Sequence, residues 1–201
     1  MGQKVMITTV YKGVAVPRAI HMLSPNKVVL LDADETDNTR NEERKKGIRM
    51  IKEKFRDIVE ISVIKTSVYD LAKITKDVAK IIDDETAKGN EVTVHITESR
   101  KTQSIGTMYG AYVRKNKVKG AYYITEEEQR LISLPMIDIK LTGTKEKLIK
   151  LIDSGMTKAK DLAEKLDVHI SLVYANFKEM QKDGLLDDEL KVTEAGRLRV
   201  V

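Results

Sequence analysis

From Lys4 to Ile124, short β-branched runs alternate with longer stretches of helical period, and this alternation limits the fold more than any other feature of the chain. Lys4–Val10, Lys27–Leu31, Glu60–Lys65, Val92–Thr97 and Ala121–Ile124 read as strands. Most are continuously apolar, the pattern expected when helices cover both faces of a sheet. Between them, Leu71, Ile74, Val78, Ile81 and Ile82 recur at helical spacing over Val68–Asp84, with Ser67 as the expected cap. Ile48, Ile51, Lys52 and Phe55 form a second helical face, and Gly89-Asn90 turns the chain back into the sheet. Strand–helix alternation of this kind predicts a Rossmann-like, mostly parallel α/β sheet.

The period changes after Leu134-Pro135. Met136–Leu141 alternates as a strand or linker, and Thr142-Gly143 ends it. Short helices follow: one around Leu148, Ile149 and Ile152, one over Lys158–Leu166 capped by Thr157, and one over Ser171–Lys182. A weak strand, Leu190–Thr193, and a tail close the chain. Three helices and a hairpin predict a small winged helix-turn-helix domain. The reading is therefore residues 1–135 as the Rossmann-like domain, 136–142 as a linker and 143–201 as the winged helix.

Composition removes several functions. Cysteine is absent, which excludes disulfides, cysteine-held zinc, iron–sulfur ligation and thiol catalysis. Aromatic residues are 4% with no Trp, too few for a platform that stacks several bases. No apolar run approaches the ~20 residues of a membrane span, and no signal-peptide pattern opens the chain, so a cytoplasmic protein with no membrane partner is expected. Residues 143–201 hold 11 basic and 11 acidic side chains, so the net charge of +5 lies wholly in the first two thirds. A basic isoelectric point is thus not an argument that the helical domain binds DNA.

Ligands of parallel sheets collect at the carboxyl ends of the strands. Two loops there carry suitable chemistry. The first, Thr8, Thr9, Val10, Tyr11, Lys12 and Gly13, offers hydroxyls, a cation and a permissive glycine. The second, Thr97, Glu98, Ser99, Arg100, Lys101 and Thr102, runs directly into a helix. A helix N-terminus presents unbonded N–H groups, and Arg100 and Lys101 add charge, so the loop suits a phosphodiester. Glu98 opposes this unless it points elsewhere or caps that helix. The alternative is that Ser99 and Thr102 cap the helix and the two cations are solvated.

Other constellations are weaker. Neither GxxxxGK[ST] nor a GxGxxG after the first strand is present, which speaks against ATP and NAD. Gly106 and Gly110 form a small face for close packing on a sheet or on a partner helix. Asp32, Asp34, Glu35 and Asp37 read as a solvated loop before a Mg²⁺ site. His21, His95 and His169 are scattered, so no metal site and no Ser–His–acid triad is nominated.

A Thr-rich loop after strand one, the T-x-S-R-K-T run from Thr97 to Thr102 entering a Gly-containing helix, and the L-P-x-I-x-I connection from Leu134 resemble one family. These are the CRISPR-associated Rossmann fold (CARF) transcriptional regulators of archaea. The resemblance implies a homodimer whose paired sites bind a cyclic oligoadenylate effector, most often cyclic tetra-adenylate, through Thr8, Thr9, Val10 and Gly13 and through Thr97, Glu98, Ser99, Arg100, Lys101 and Thr102. The family's second loop is usually T-G-G-T-K, and here Glu98 and Ser99 replace its glycines. Some members cut the ring by attack of a ribose 2′-hydroxyl, with no metal; Lys101 and Thr9 are then the residues for the reaction. No other cofactor is implied.

Leu162–Tyr174 is similar to the helix-turn-helix pattern L-A-x-x-L-G-V-S-x-S-T-V-S, and Val192–Arg197 resembles the closing L-T-E-x-G of a wing. The resemblance implies double-stranded DNA as a partner, read by His169, Ile170, Ser171, Tyr174 and Lys178. The residues themselves are less favourable, because the third helix has no Arg and the wing tip carries Asp187, Asp188 and Glu189. The reading is a ligand-responsive regulator of transcription. A metal-independent ring nuclease with the winged helix as scaffold is the alternative, and a sensor that contacts only protein is the third.

Overall fold

The computed structural model describes residues 2–33, 38–139, 141 and 143–201; Asp34, Glu35, Asp37, Lys140 and Thr142 of the readings above lie outside them. The chain divides into two compact units, Met1–Asp138 and Ile139–Val201.

The first unit is a Rossmann-like α/β fold. Its elements are β1 (Lys4–Thr9), α1 (Ala15–Leu23), β2 (Lys27–Ala33), α2 (Asn38–Phe55), β3 (Glu60–Thr66), α3 (Leu71–Ala87), β4 (Glu91–His95), α4 (Lys101–Tyr112), β5 (Val118–Ile124) and β6 (Leu131–Leu134). The sheet runs β3-β2-β1-β4-β5-β6. Every pairing from β3 to β5 is parallel, and β6 returns antiparallel to β5. Strand order reverses between β1 and β4, where Ile7 lies opposite Val94 and Thr8 opposite His95. The loops after these two strands therefore emerge side by side.

The continuous apolar strands have their expected cause. Val5 and Ile7 of β1 face a core with Ile74, Val78 and Ile82 of α3. Met6 faces the opposite core with Val16 and Ile20 of α1 and Ile51 of α2. Each face of β1 is buried, so truncating Ile7, fully inaccessible, to Ala is expected to cost about 2–5 kcal/mol.

Several local expectations change. The α3 cap is Asp70, whose carboxylate accepts the Lys73 N–H at 2.8 Å. Ser67 Oγ accepts the Asp70 N–H at 3.0 Å and so builds the turn before the cap. The buried face of α2 is Arg44, Gly47 and Ile51, with Ile48 and Phe55 flanking it and Lys52 exposed. The Gly106–Gly110 face packs on a helix, not on the sheet. Cβ atoms on these glycines would stand 2.8 Å from Ile74 Cβ and 2.6 Å from Val78 Cβ, so α4 lies against α3 of the same chain. The alternating residues 136–139 form no strand; among the described residues the last strand is β6, just before them.

The second unit holds α5 (Gly143–Asp153), α6 (Ala159–Leu166), α7 (Ile170–Lys182) and α8 (Glu194–Leu198). Leu148, Ile149, Leu162, Val173, Phe177, Met180 and Leu186 share its core. Thr157 does not cap α6, whose N-cap is Lys158 without a side-chain cap bond. The expected strand 190–193 is reduced to one antiparallel bridge, Leu186 to Val192. The tail instead contains α8, capped by Thr193 Oγ, which accepts the Gly196 N–H at 3.1 Å. Among the described residues no helix is long and apolar enough to cross a membrane.

Candidate ligand site at the ends of β1 and β4

Thr8 and Thr9 end β1, and both are fully buried. Thr8 belongs to a chain of hydrogen bonds centred on His95, the last residue of β4. His95 Nδ1 is 2.8 Å from Thr8 Oγ1 and Nε2 is 2.7 Å from Thr97 Oγ1. The Ile124 N–H donates to Thr97 Oγ1 at 2.8 Å, and Thr8 Oγ1 lies 3.0 Å from Thr9 O. One proton arrangement satisfies all four contacts. Thr97 donates to Nε2, the Nδ1–H donates to Thr8, and Thr8 donates to the Thr9 carbonyl. His95 is thus neutral, and burial pushes its pKa down to about 4. The hydroxyls of Thr8 and Thr97 are engaged within the protein, and they fix the two strand ends to one another. Thr9 Oγ1 is buried with no hydrogen-bond partner among the described residues.

Glu98 does not point at the start of α4. It crosses to the first loop, where its Oε2 accepts the Gly13 N–H at 2.6 Å and the Tyr11 N–H at 3.4 Å, and its Oε1 accepts the Ala15 N–H. These donors form the N-terminal nest of α1, whose N-cap, Val14, supplies no side-chain bond. A carboxylate here meets both unbonded N–H groups and the positive end of a helix. The segment Ala15–Leu23, to which hydrophobic period assigned no element, is a helix whose cap comes from the other loop. Gly13 has φ +75° and packs on α2, where a Cβ on Gly47 would stand 2.7 Å from Tyr11 O. Val10 is buried in the core beneath. Tyr11 is further held by its hydroxyl, which donates to Glu43. That bond, with Lys12 beside it, holds the Glu43 carboxyl below its usual range.

The second loop is tied to its neighbours. Thr102 Oγ1 donates to Val68 O at 2.7 Å, and Ser99 Oγ lies 2.7 Å from Ser104 Oγ. Arg100 stands at the N-cap of α4 without a side-chain cap bond, so neither Ser99 nor Thr102 caps that helix. The Arg100 guanidinium lies over the Tyr69 ring, 5.4 Å from its centre. Lys101 is exposed.

Three residues absent from the sequence reading complete this surface. Arg40 and Arg44 of α2, with Gln103 of α4, line a pocket together with Val10, Ser99 and Arg100. Arg40 lies over the Tyr11 ring at 5.5 Å, and Gln103 Nε2 donates to Leu31 O at 3.2 Å. The spacing 40, 44, 47 and 51 was the available signal, since it is one helical face interrupted by polar residues.

A family model described as HFX_2341_N:-like, N-terminal, matches residues 9–129, more than half of the chain. The chain belongs to this family. The matched span of the HFX_2341_N:-like family contains the first strand-end loop from Thr9 onward and the whole of the second. No curated protein matches. Among solved structures, the chain resembles Can2 from Sulfobacillus thermosulfidooxidans in complex with cyclic tetra-adenylate (12% identity, 97% of this chain and 62% of that one, TM-score 0.51). It also resembles Enterococcus italicus Csm6 bound to cyclic hexa-2′-fluoro-hexa-dAMP (9% identity, 90% and 52%, TM-score 0.54). A third is a type III CRISPR defence DNA nuclease activated by cyclic oligoadenylate (15% identity, 90% and 30%, TM-score 0.50). The chain spans less than two thirds of each of these structures. At such identity the likeness shows a shared fold.

In the second unit, His169 is the N-cap of α7, with its Nδ1 2.7 Å from Ser171 Oγ. Ser171, Tyr174 and Lys178 are exposed. Ile170 is not; it packs against the core of the unit. Asp187 Oδ1 accepts the Glu189 and Lys191 N–H groups at 2.9 and 2.8 Å, so one of the three tip acids builds its own turn.

Proposed function

We propose that the chain is a CRISPR-associated, cyclic-oligoadenylate-responsive regulator of the CARF type, with a winged helix-turn-helix as its second unit. Two copies bind one ring across their paired β1 and β4 loops, because a twofold site suits a ring that repeats the same contacts. Ligand acts on the second unit by favouring one arrangement of the two units over another. The observation that carries the reading is the joining of the two loops at the strand-order reversal, on a fold it shares with proteins solved with cyclic oligoadenylates. Thr8, Thr97 and Glu98 act as the frame of the site, and Ser99, Arg100, Lys101 and the α4 N-terminus meet the ligand.

DNA binding falls to Ser171, Tyr174 and Lys178 on the exposed face of α7. The ring-nuclease reading keeps one supporting observation, the exposure of Lys101 at the first position of α4. Against it stands the complete burial of Thr9, whose hydroxyl no ribose reaches in this conformation.

Native mass spectrometry of the protein with a mixture of cyclic oligoadenylates tests the proposal. One intact ring per dimer is expected. Linear product ending in a 2′,3′-cyclic phosphate, equal in mass to the ring and separated from it by chromatography, makes the chain a ring nuclease, and absence of both adduct and product overturns the ligand reading.

A further inference from the structure

Glu98 divides the strand-end surface by charge. Beside its carboxylate, the neighbouring pocket is lined by Thr97, Ile124, Thr125, Glu126 and Gln129, so its charged groups are acidic. Across the first loop, the other pocket is lined by Arg40, Arg44 and Arg100. We infer that this arginine pocket is a phosphate subsite, and that Glu98, by filling the amide nest of α1 with the chain's own anion, leaves it as the place where a ligand phosphate binds.

Arg44 carries the argument. It is 5% exposed, and its Nη1 has no hydrogen-bond partner among the described residues. Nη2 donates to Asn41 Oδ1 at 2.7 Å. Nε lies 2.5 Å from Asp32 Oδ1 as an ion pair without hydrogen-bond alignment. Asp32 at Nε and Asn41 at Nη2 thus leave Nη1 as the unsatisfied donor of the guanidinium. A buried N–H without an acceptor is costly, and an anionic oxygen removes that cost with a charge-assisted bond.

Two other features aim the pocket at phosphate. Gly47, one turn beyond Arg44, lets α2 close onto Tyr11 and Lys12, which brings the arginine face over the first loop. The Arg40 and Arg100 guanidinium carbons lie 5.5 and 5.4 Å from the Tyr11 and Tyr69 ring centres, which holds two further cations on the lining of this pocket. The α4 N-terminus opens on the same pocket through Ser99, Arg100 and Gln103 and lacks a side-chain cap. A phosphate monoester and a phosphodiester present the same pair of oxygens, and both fit this chemistry.

The inference takes only its ligand class from the cyclic-oligoadenylate reading; the anion site stands on the geometry. Calorimetric titration of the full chain with sodium pyrophosphate and, separately, with cyclic tetra-adenylate tests it. Wild type, Arg44→Lys, Arg40→Ala and the equal-charge control Lys46→Ala are compared, with circular dichroism reporting folding. Arg44→Lys keeps a cation for Asp32 but loses the fork. Expected is a tenfold or greater loss for both probes in Arg44→Lys, a smaller loss in Arg40→Ala, and less than twofold in Lys46→Ala. If pyrophosphate behaves so but the ring does not bind wild type, the anion site stands and the cyclic-nucleotide reading falls. If the ring binds wild type and Arg44→Lys alike, the inference is overturned and the reading stands. Binding of neither probe, or equal loss in Lys46→Ala, also overturns it.

Discussion

Glu98 holds the backbone of Gly13, 85 positions earlier in the chain, through a 2.6 Å hydrogen bond from its N–H. Glu98 thus has a defined task, which is to cap α1 and lock the two strand-end loops together. Loss of that carboxylate removes the acceptor for three N–H groups. Glu98→Gln is expected to destabilise the first unit by about 1–2 kcal/mol, because charge-assisted bonds exceed neutral ones. Urea unfolding measures it, and an unchanged midpoint would show that the nest is satisfied without a charge.

His95 makes stability depend on pH. Its folded pKa is about 4 against 6.5 for an unhindered imidazole. Between these values the unfolded chain binds a proton that the folded chain refuses, so stability falls as pH drops from 6.5 to 4. The loss amounts to about 3 kcal/mol and is complete below the folded value. Unfolding followed against pH reads this slope, and it should vanish in His95→Gln. Nitrogen-15 shifts of the ring should show Nδ1 protonated and Nε2 bare at pH 7; the reverse would break the hydrogen-bond chain deduced for Thr8 and Thr97.

Gly110 has no room for a side chain. Its Cβ would lie 2.6 Å from Val78 Cβ, so Gly110→Ala must push α3 and α4 apart, at about 1–3 kcal/mol. Ile105→Ala, on the exposed side of the same helix, should change stability by less than about 0.5 kcal/mol. Thermal unfolding of both variants checks the contrast.

The DNA-binding part of the reading makes separate demands on α7. Lys178→Ala should weaken DNA binding uniformly and lower the salt slope by about one, as expected of a phosphate contact. Tyr174→Ala should cost more on the operator than on unrelated DNA. Electrophoretic shifts at two salt concentrations report both, and equal affinity for all sequences in wild type would remove the regulator reading.

What the sequence revealed and what it concealed divide along physical lines. Val5–Ile7 and Val28–Leu31 were legible as buried strands because covering both faces of a sheet demands unbroken apolar runs. The helix α1 was not, because its cap belongs to Glu98, far along the chain. The face of α2 was read out of phase because its buried positions include Arg44 and Gly47, a charge and a helix breaker. Ser67 resembles a cap in sequence because the turn that precedes Asp70 uses the same chemistry as a cap. The arginine pocket joins α2 to α4 only through the strand order, which no local pattern encodes.

In the proposed function the ends of β1 and β4 form the ligand surface. The most direct measurement is a ¹H–¹⁵N titration of the labelled protein with cyclic tetra-adenylate. The account predicts that the amides of Tyr11, Gly13, Ser99 and Arg100 and the side-chain resonance of Arg44 Nε shift together, saturating at one ring for two chains. Shifts confined to the second unit, or none at saturating ring, would contradict it.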